Sequence, residues 1–324
     1  MPKAKKPVYS VIIPVYNEQE VVAAAHRELS AVMKSLHAPY ELIFVNDGSR
    51  DKTYPALYRI AEKDPAVKIV NFSRNFGHQV AISAGMDFAA GDAIVVIDAD
   101  LQDPPRVIKE MAKKWKQGFE VVYGQRTKRK GESIFKRATA SLFYRLIRRL
   151  SGVDIPVDTG DFRLIDRKVC DALKAMPERH RFMRGMAAWV GFKQCAVPYE
   201  RQKRYAGKTK YPLLKMLKFA TDAITSFSFK PLRIATVLGF FTSFAGFAYL
   251  LYAVIRYFLG AVQEGWTTII ALLIIFNGIL FIILGIMGEY LGRVYEEVKT
   301  RPLYLVRDTI GFDNDAKKPR GKRS

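Results

Sequence analysis

Asp98, Asp100, Gln102 and Asp103 follow directly on an apolar run, Val95-Val96-Ile97, in the stretch VVIDADLQDPP. Alternate residues at the end of an extended strand point the same way. Asp98 and Asp100 therefore present two carboxylates on one side, with the Gln102 amide two positions further on. Such an oxygen-rich set suits a hard divalent cation, Mg2+ or Mn2+, which keeps coordination positions for substrate phosphates. The competing use of the same stretch is a turn before a helix, with Asp103 as N-cap ahead of Pro104 and Pro105. The two uses are compatible: Asp103 is expected to cap while Asp98, Asp100 and Gln102 hold metal.

Asp47, in VNDGS, closes another apolar run at a glycine turn. Its carboxylate fits a turn, or an acceptor for a base N–H of the kind uracil and guanine present. The other conspicuous side chains carry less. His78, in RNFGHQVA, is read as structural rather than as a substrate contact. His180, among charges in ERHRFMRG, receives no catalytic role, and Trp189 is read as core or interfacial.

These residues need a frame. Runs rich in Val and Ile at 9–15, 41–46, 67–72, 93–98 and 120–124 read as strands. Amphipathic stretches at 20–36, 52–63, 80–89 and 105–117 lie between them. Near-continuous apolar strands alternating with helices predict a parallel sheet covered on both faces. Ligands of such sheets sit at the carboxyl ends of the strands. Asn17 and Glu18, Asp47, Arg74 and Asn75, Asp98 and Asp100, and Arg126 all follow strands, so they are expected to converge on one crevice. PVYNE stands where a dinucleotide fold needs G-x-G-x-x-G, and no G-x-x-x-x-G-K-[ST] occurs, which disfavours nicotinamide chemistry and an ordinary P-loop ATPase.

The 324 residues carry a net charge of +21 and are 49% hydrophobic, but the apolar residues are unevenly spread. Stretches 234–258 and 267–291 are each long enough to span a bilayer, for which about 20 residues suffice. Arg256 and Glu289 lie near their ends, where long side chains snorkel. LGAVQEGW between the stretches has no Lys or Arg, whereas Lys230 and Arg233 precede the first and Arg293, Lys299 and Arg301 follow the second. That asymmetry predicts both termini on the cytoplasmic side. The basic N-terminal segment has too short an apolar run for a signal peptide. Cys170 and Cys195 show neither metal nor redox spacing and suit a reducing compartment. With two spans present, the positive charge is assigned to anionic lipid headgroups and not to nucleic acid. Residues 133–151 and 212–229 are basic and amphipathic; they suit helices lying in the headgroup plane, or ordinary surface helices.

VIIPVYNE, VNDGS, DADLQDPP and DTGDFRL, in this order, resemble the family-2 glycosyltransferases. More narrowly, the chain is similar from residue 8 to about 300 to the polyprenyl-phosphate glycosyltransferases, namely the dolichol-phosphate-mannose synthases and the bacterial enzymes that load glucose or aminosugars onto undecaprenyl phosphate. The resemblance implies an α/β fold: a GT-A, Rossmann-like catalytic domain with a mostly parallel sheet, followed by amphipathic interfacial helices and two transmembrane helices. The expected boundaries are 1–211 for the cytoplasmic catalytic domain, 212–232 for the juxtamembrane region, 233–292 for the hairpin and 293–324 for a cytoplasmic tail.

The resemblance also implies roles. Pro14, Tyr16 and Glu18 shape the nucleotide pocket, and Asp47 reads the base. Asp98, Asp100 and Gln102 hold Mg2+ or Mn2+ against the donor diphosphate. Asp158 and Asp161 stand at the reacting centre. Arg126, Lys136, Arg137, Arg163, Arg201, Arg204 and Lys208 (or Lys210) meet phosphate, chiefly that of the lipid. The donor is expected to be a nucleotide sugar, UDP-glucose before GDP-mannose or a UDP-aminosugar. The acceptor is undecaprenyl or dolichyl phosphate, and a homo-oligomer is compatible with enzymes of this kind. A lipid phosphate is already ionised at neutral pH, so the reaction needs no strong general base. The difficulty is to bring an anionic nucleophile to an anionic donor, which clustered cations ease. One in-line displacement would invert the anomeric centre. A processive polysaccharide synthase is the nearest alternative, but Q-x-x-R-W is absent; a nucleotide-sensing membrane scaffold would not require the acids at 47, 98 and 100.

Overall fold

The computed structural model describes residues 6–127, 156, 159–202, 228–259 and 265–312. Asp158, Lys136, Arg137, Arg204, Lys208 and Lys210 lie outside this set, as do the amphipathic stretches 133–151 and 212–227. The chain divides into two compact units, one of Met1–Tyr144, Val153–Leu213 and Arg301–Ser324, the other of Arg145–Gly152 and Leu214–Thr300.

The first unit is built on a sheet that, among the described residues, has eight strands in the order β7-β5-β6-β4-β1-β2-β3-β8. These are β1 (Tyr9–Val15), β2 (Tyr40–Asn46), β3 (Val67–Phe72), β4 (Ala93–Val96), β5 (Val121–Arg126), β6 (Thr159–Asp166), β7 (Gln194–Tyr199) and β8 (Val306–Ile310). β3, β2, β1 and β4 run parallel, joined by α1 (Val22–Lys34), α2 (Thr53–Ala61) and α3 (His78–Phe88). This is the Rossmann-like half that continuous apolar strands predict. Every residue of β1 is buried. Tyr9, Val11, Ile13 and Val15 join the core cluster of one face. Ile12 points to the other, against α3. A Cβ at Gly85 would lie 2.2 Å from Ile12 Cγ2, so the bare glycine lets α3 settle on the sheet.

The second half of the sheet departs from a simple parallel order. β6 inserts between β4 and β5 and is antiparallel to both, while β7 is parallel to β5. β6 is TGDFRLID, most of a motif that the sequence marks for chemistry but whose charges conceal a strand. It is buried along seven of its eight residues, charged ones included. α4 (Val107–Lys116) buries Val107, Ile108, Met111 and Ala112 and turns Lys109 and Lys113 outward, the ordinary pattern of an amphipathic helix. β8, from the segment assigned to a tail, pairs antiparallel with β3 and closes that edge of the sheet.

The second unit contains two long helices, Lys230–Phe258 and Trp266–Val298. Both are long and apolar enough to cross a membrane, and their most apolar windows are 6% and 0% buried. Phe240, Phe244, Phe247, Phe281 and Leu291 are all exposed, an arrangement that water penalises and lipid does not. Where the helices pack, Gly239 meets Ile283 and Gly246 meets Phe276.

Candidate active site

β4 ends at Val96, and the chain then runs through Asp98 and Asp100 into a turn. Leu101 adopts φ 56°, a left-handed conformation that leucine rarely takes. Such strain concentrates at functional turns. Asp100 is buried and its Oδ1 accepts the Gln102 N–H at 3.1 Å. Asp98 is partly exposed, with 32% of its side chain accessible. Burial raises the Asp98 carboxyl above its usual range; nearby His78 opposes the rise, and the carboxylates of Asp161, Asp100 and Asp103 add to it.

Asp103 does not cap the following helix. The N-cap position of α4 is Arg106, and no side chain caps there. Asp103, 1% exposed, instead accepts the Tyr199 hydroxyl at 2.5 Å and lies 3.5 Å from Arg126 Nη2 and 3.4 Å from Arg201 Nε. One carboxylate thus gathers the ends of β5 and β7, and two guanidiniums share its charge. The buried Nε of Arg201 makes no hydrogen bond among the described residues. At Gly160 on β6 a Cβ would stand 2.6 Å from Arg126 Nη2, so the glycine leaves room for that guanidinium.

Asp161, also on β6, stands across from Asp98. Its Oδ2 accepts from Gln79 Nε2 at 2.9 Å and lies 3.3 Å from His78 Nε2; its Oδ1 accepts from Arg184 Nε at 3.2 Å. Burial would raise this carboxyl, but Arg184 foremost, then His78 and Arg163, hold it far below the usual carboxylate range. His78 Nε2 is also 3.5 Å from Asp98 Oδ1. Burial alone would push the imidazole down, yet the hydrogen bond to Asp161 and the charge of Asp98 raise it to about 9. His78, Gln79 and Arg184 are therefore site residues that the sequence did not single out for chemistry. The only local signal was position: His78 and Gln79 follow the glycine that opens α3, and Arg184 follows a run of arginines.

Arg163, expected at the lipid phosphate, is 6% exposed, and its guanidinium donates to the carbonyls of Gly160, Asp161 and Met183. Burial lowers it to about 10. A guanidinium engaged with three backbone carbonyls braces the end of β6.

The nucleotide side forms around the end of β2. Asp47 is 3% exposed; Oδ1 accepts the Phe76 N–H at 2.6 Å and Oδ2 the Gly77 N–H at 3.0 Å. Burial raises its carboxyl, and these two N–H groups work against the rise. The acid thus ties β2 to the turn that delivers His78. Gly48 takes φ 65°, and a Cβ there would come within 2.3 Å of the Arg74 carbonyl carbon, so only glycine fits. Beside it, Pro14 is buried in β1, Tyr16 is exposed, and the Glu18 N–H donates to Thr53 Oγ1 at 2.8 Å.

The strand ends thus gather acids at the centre, cations on one flank and a polar loop on the other. Among the described residues no three His, Cys, Asp or Glu side chains form a group that could hold a metal by themselves. Asp98 and Asp100 supply two carboxylates, so further ligands would have to come from elsewhere.

Residues 10–174 match glycosyl transferase family 2, and residues 230–294 match the GtrB C-terminal hairpin. The glycosyltransferase YkcC of Bacillus subtilis is 53% identical over 307 residues, which cover 94% of this chain and 95% of the relative. The SfII prophage-derived bactoprenol glucosyl transferase of Shigella flexneri is 38% identical over 299 residues, covering 92% and 97%. In fold, the chain is similar to glucosyl-3-phosphoglycerate synthase from Mycobacterium tuberculosis, solved with Mn2+, UDP and phosphoglyceric acid: the TM-score is 0.51 at 19% identity, over 68% of this chain and 76% of that one. The chain belongs to glycosyltransferase family 2, is a glycosyltransferase with a GT-A-like fold, and resembles the polyprenyl-phosphate enzymes of that family.

Proposed function

We propose that the chain transfers a sugar, glucose from UDP-glucose in the favoured case, to a polyprenyl phosphate at the cytoplasmic face of a membrane, with inversion. The observation that carries this reading is that the partly exposed Asp98 is coupled to two charge systems. One is the His78–Asp161–Arg184 cluster; in the other, Arg126 and Arg201 share the single carboxylate of Asp103. The bactoprenol acceptor of the Shigella relative and the exposed apolar surface of the two long helices support a lipid substrate.

Asp98 and Asp100 fit a divalent cation. Clustered carboxylates raise one another's affinity for positive charge, and Asp98 feels three acidic neighbours. A cation there would stabilise the leaving diphosphate, as Mn2+ accompanies UDP in the relative of like fold. Gln102 would assist through its amide. Asp47, with Pro14, Tyr16 and Glu18, would receive the nucleoside; its oxygens each retain acceptor capacity beyond the bonds to Phe76 and Gly77. Arg126 and Arg201, with Lys136, Arg137, Arg204 and Lys208, would meet the lipid phosphate and lessen its repulsion from the donor.

Asp161 is held ionised and its oxygens are occupied by Gln79, His78 and Arg184, which makes it a poor proton acceptor. Its role is to fix His78 and Arg184 in place. That suits an acceptor that arrives already deprotonated. Asp158 would act beside it by orienting the acceptor.

The test is a transfer assay in detergent with undecaprenyl phosphate, Mg2+ or Mn2+, and radiolabelled UDP-glucose, GDP-mannose and UDP-aminosugars. An EDTA-sensitive lipid-linked product from one donor supports the reading and names the sugar. No product from any donor, with dolichyl phosphate also supplied, would overturn it.

A further inference from the structure

Three polar side chains lie across adjacent strands at the edge of the sheet. Asn46 on β2 faces Asn71 on β3, and Asn71 faces Asp308 on β8. Asn46 and Asn71 are 1% and 4% exposed. Asp308 Oδ2 accepts from Asn71 Nδ2 at 2.7 Å, and Asn71 Oδ1 accepts from Asn46 Nδ2 at 2.8 Å. Asn46 Oδ1 faces the Ser49 N–H at 3.4 Å, in the loop that begins with Asp47. From there Ser49 Oγ accepts the Asn17 N–H at 2.9 Å, and Asn17 Oδ1 accepts the Arg50 N–H at 2.8 Å.

The direction of this ladder has a cause. A side-chain amide can be turned end for end with little change of shape, so two facing asparagines do not choose an orientation between themselves. An ionised carboxylate only accepts. Asp308 therefore draws the amino group of Asn71 toward itself, which turns the Asn71 oxygen to Asn46. That in turn leaves the Asn46 oxygen facing the Ser49 N–H. Without a carboxylate at 308 the reverse order becomes available, and it would set the Asn46 amino group against the Ser49 N–H, donor against donor.

We propose that Asp308, on the strand that follows the second long helix, is a positioning residue for the nucleotide-side loop 47–49. It acts by fixing the amide orientation of Asn71 and Asn46. The inference rests on the proposal that this loop receives the nucleotide. It gives the segment after the hairpin a part in donor binding that a simple tail would not have. Asp308 is otherwise anchored by the Tyr54 hydroxyl on its Oδ1, which supplies a control. Tyr54→Phe removes a hydrogen bond to Asp308 and leaves the polarity of the ladder unchanged.

The experiment uses the full chain in detergent and measures binding of UDP and of GDP with Mn2+ present, together with thermal unfolding, for wild type, Asp308→Asn, Tyr54→Phe and Asp47→Asn. For the nucleotide that wild type binds, Asp308→Asn is expected to raise Kd about five- to tenfold, the factor given by loss of one oriented hydrogen bond. Tyr54→Phe is expected to stay within about twofold of wild type even where it lowers the unfolding midpoint, because loss of stability and loss of affinity are separate free energies. Unchanged affinity in Asp308→Asn, with weakened binding in Asp47→Asn, would overturn the ladder and leave the loop assignment standing. Equal weakening by Asp308→Asn and Tyr54→Phe would reduce the effect to general packing and also overturn it. Unchanged affinity in both Asp308→Asn and Asp47→Asn, or a wild type that binds neither nucleotide, would remove the loop assignment and the inference with it.

Discussion

Arg184 Nε donates to Asp161 Oδ1 at 3.2 Å, and the same guanidinium donates through Nη1 to the Thr159 carbonyl at 3.1 Å. One side chain thus neutralises the buried acid of β6 and holds the backbone two residues before it. Removing it would take the foremost counter-charge from a buried carboxylate and leave His78, Gln79 and Arg163 to offset it. Arg184→Ala is expected to destabilise the fold by about 1.5–3 kcal/mol, the loss of a hydrogen bond to a charged group. Arg184→Ala, Asp161→Asn should recover part of that loss, because the under-compensated charge is gone. Thermal unfolding of the two variants checks this; equal destabilisation would mean that the pair carries no such charge coupling.

His78 touches both acids, 3.3 Å from Asp161 and 3.5 Å from Asp98. His78→Ala is expected to lower kcat about tenfold or more while changing the KM for lipid little, because it loosens the geometry at the reacting end and not the acceptor's own contacts. Steady-state transfer kinetics with varied lipid would decide. A change confined to KM would place His78 on the acceptor instead.

Asp100→Asn keeps shape but removes the charge that a cation needs. Transfer is expected to fall at least about a hundredfold, with nucleotide binding in that variant no longer strengthened by Mn2+. Treatment of the wild type with EDTA should have the same effect and be reversed by added Mg2+ or Mn2+. A fully active, EDTA-insensitive Asp100→Asn protein would remove the metal assignment.

Burial pushes the Cys170 thiol up to about 12, and burial raises Cys195 as well. A raised thiol pKa means less thiolate, so at pH 8 Cys170 is held almost wholly as the unreactive thiol. Native protein is expected to resist alkylation at that pH, with Cys195, the more accessible of the two, modified before Cys170. Both should react once the chain is denatured. Mass spectrometry after timed labelling reads the order directly.

Gly85→Ala would force a methyl to within 2.2 Å of Ile12 Cγ2. Overpacking of this kind costs about 1–3 kcal/mol. Combined with Ile12→Ala, which removes the opposing atom, the loss should be smaller than the sum of the two single losses. Unfolding midpoints in a double-mutant cycle measure the coupling.

The sequence by itself determined the repeating half of the fold. β1 to β4 are continuous apolar runs, α1 to α4 are amphipathic, and each property is local, so the pattern is visible without partners. The two long helices were legible for the same reason. The position of Asp47, Asp98 and Asp100 just past the ends of β2 and β4 was legible too, because acids closing buried runs are conspicuous.

Tertiary structure alone decided the rest, and charge is the physical reason. β6 contains Asp161 and Arg163, which only partners make tolerable inside a core: Gln79, 82 positions away, and Arg184, 23 away, satisfy Asp161. Asp103 looked like a helix cap because Pro104 and Pro105 follow it, yet Tyr199, 96 positions on, takes its oxygen. Arg163 reads from sequence as a free cation, and only the fold brings the carbonyls of Gly160 and Met183 to it. Asp308, 237 positions from Asn71, reads as a tail residue until β8 folds back onto β3. A buried charge is settled by whichever groups the fold brings to it, and those groups are distant in sequence. Local apolar periodicity could therefore write the scaffold, while the electrostatic assignments of the site waited on three dimensions.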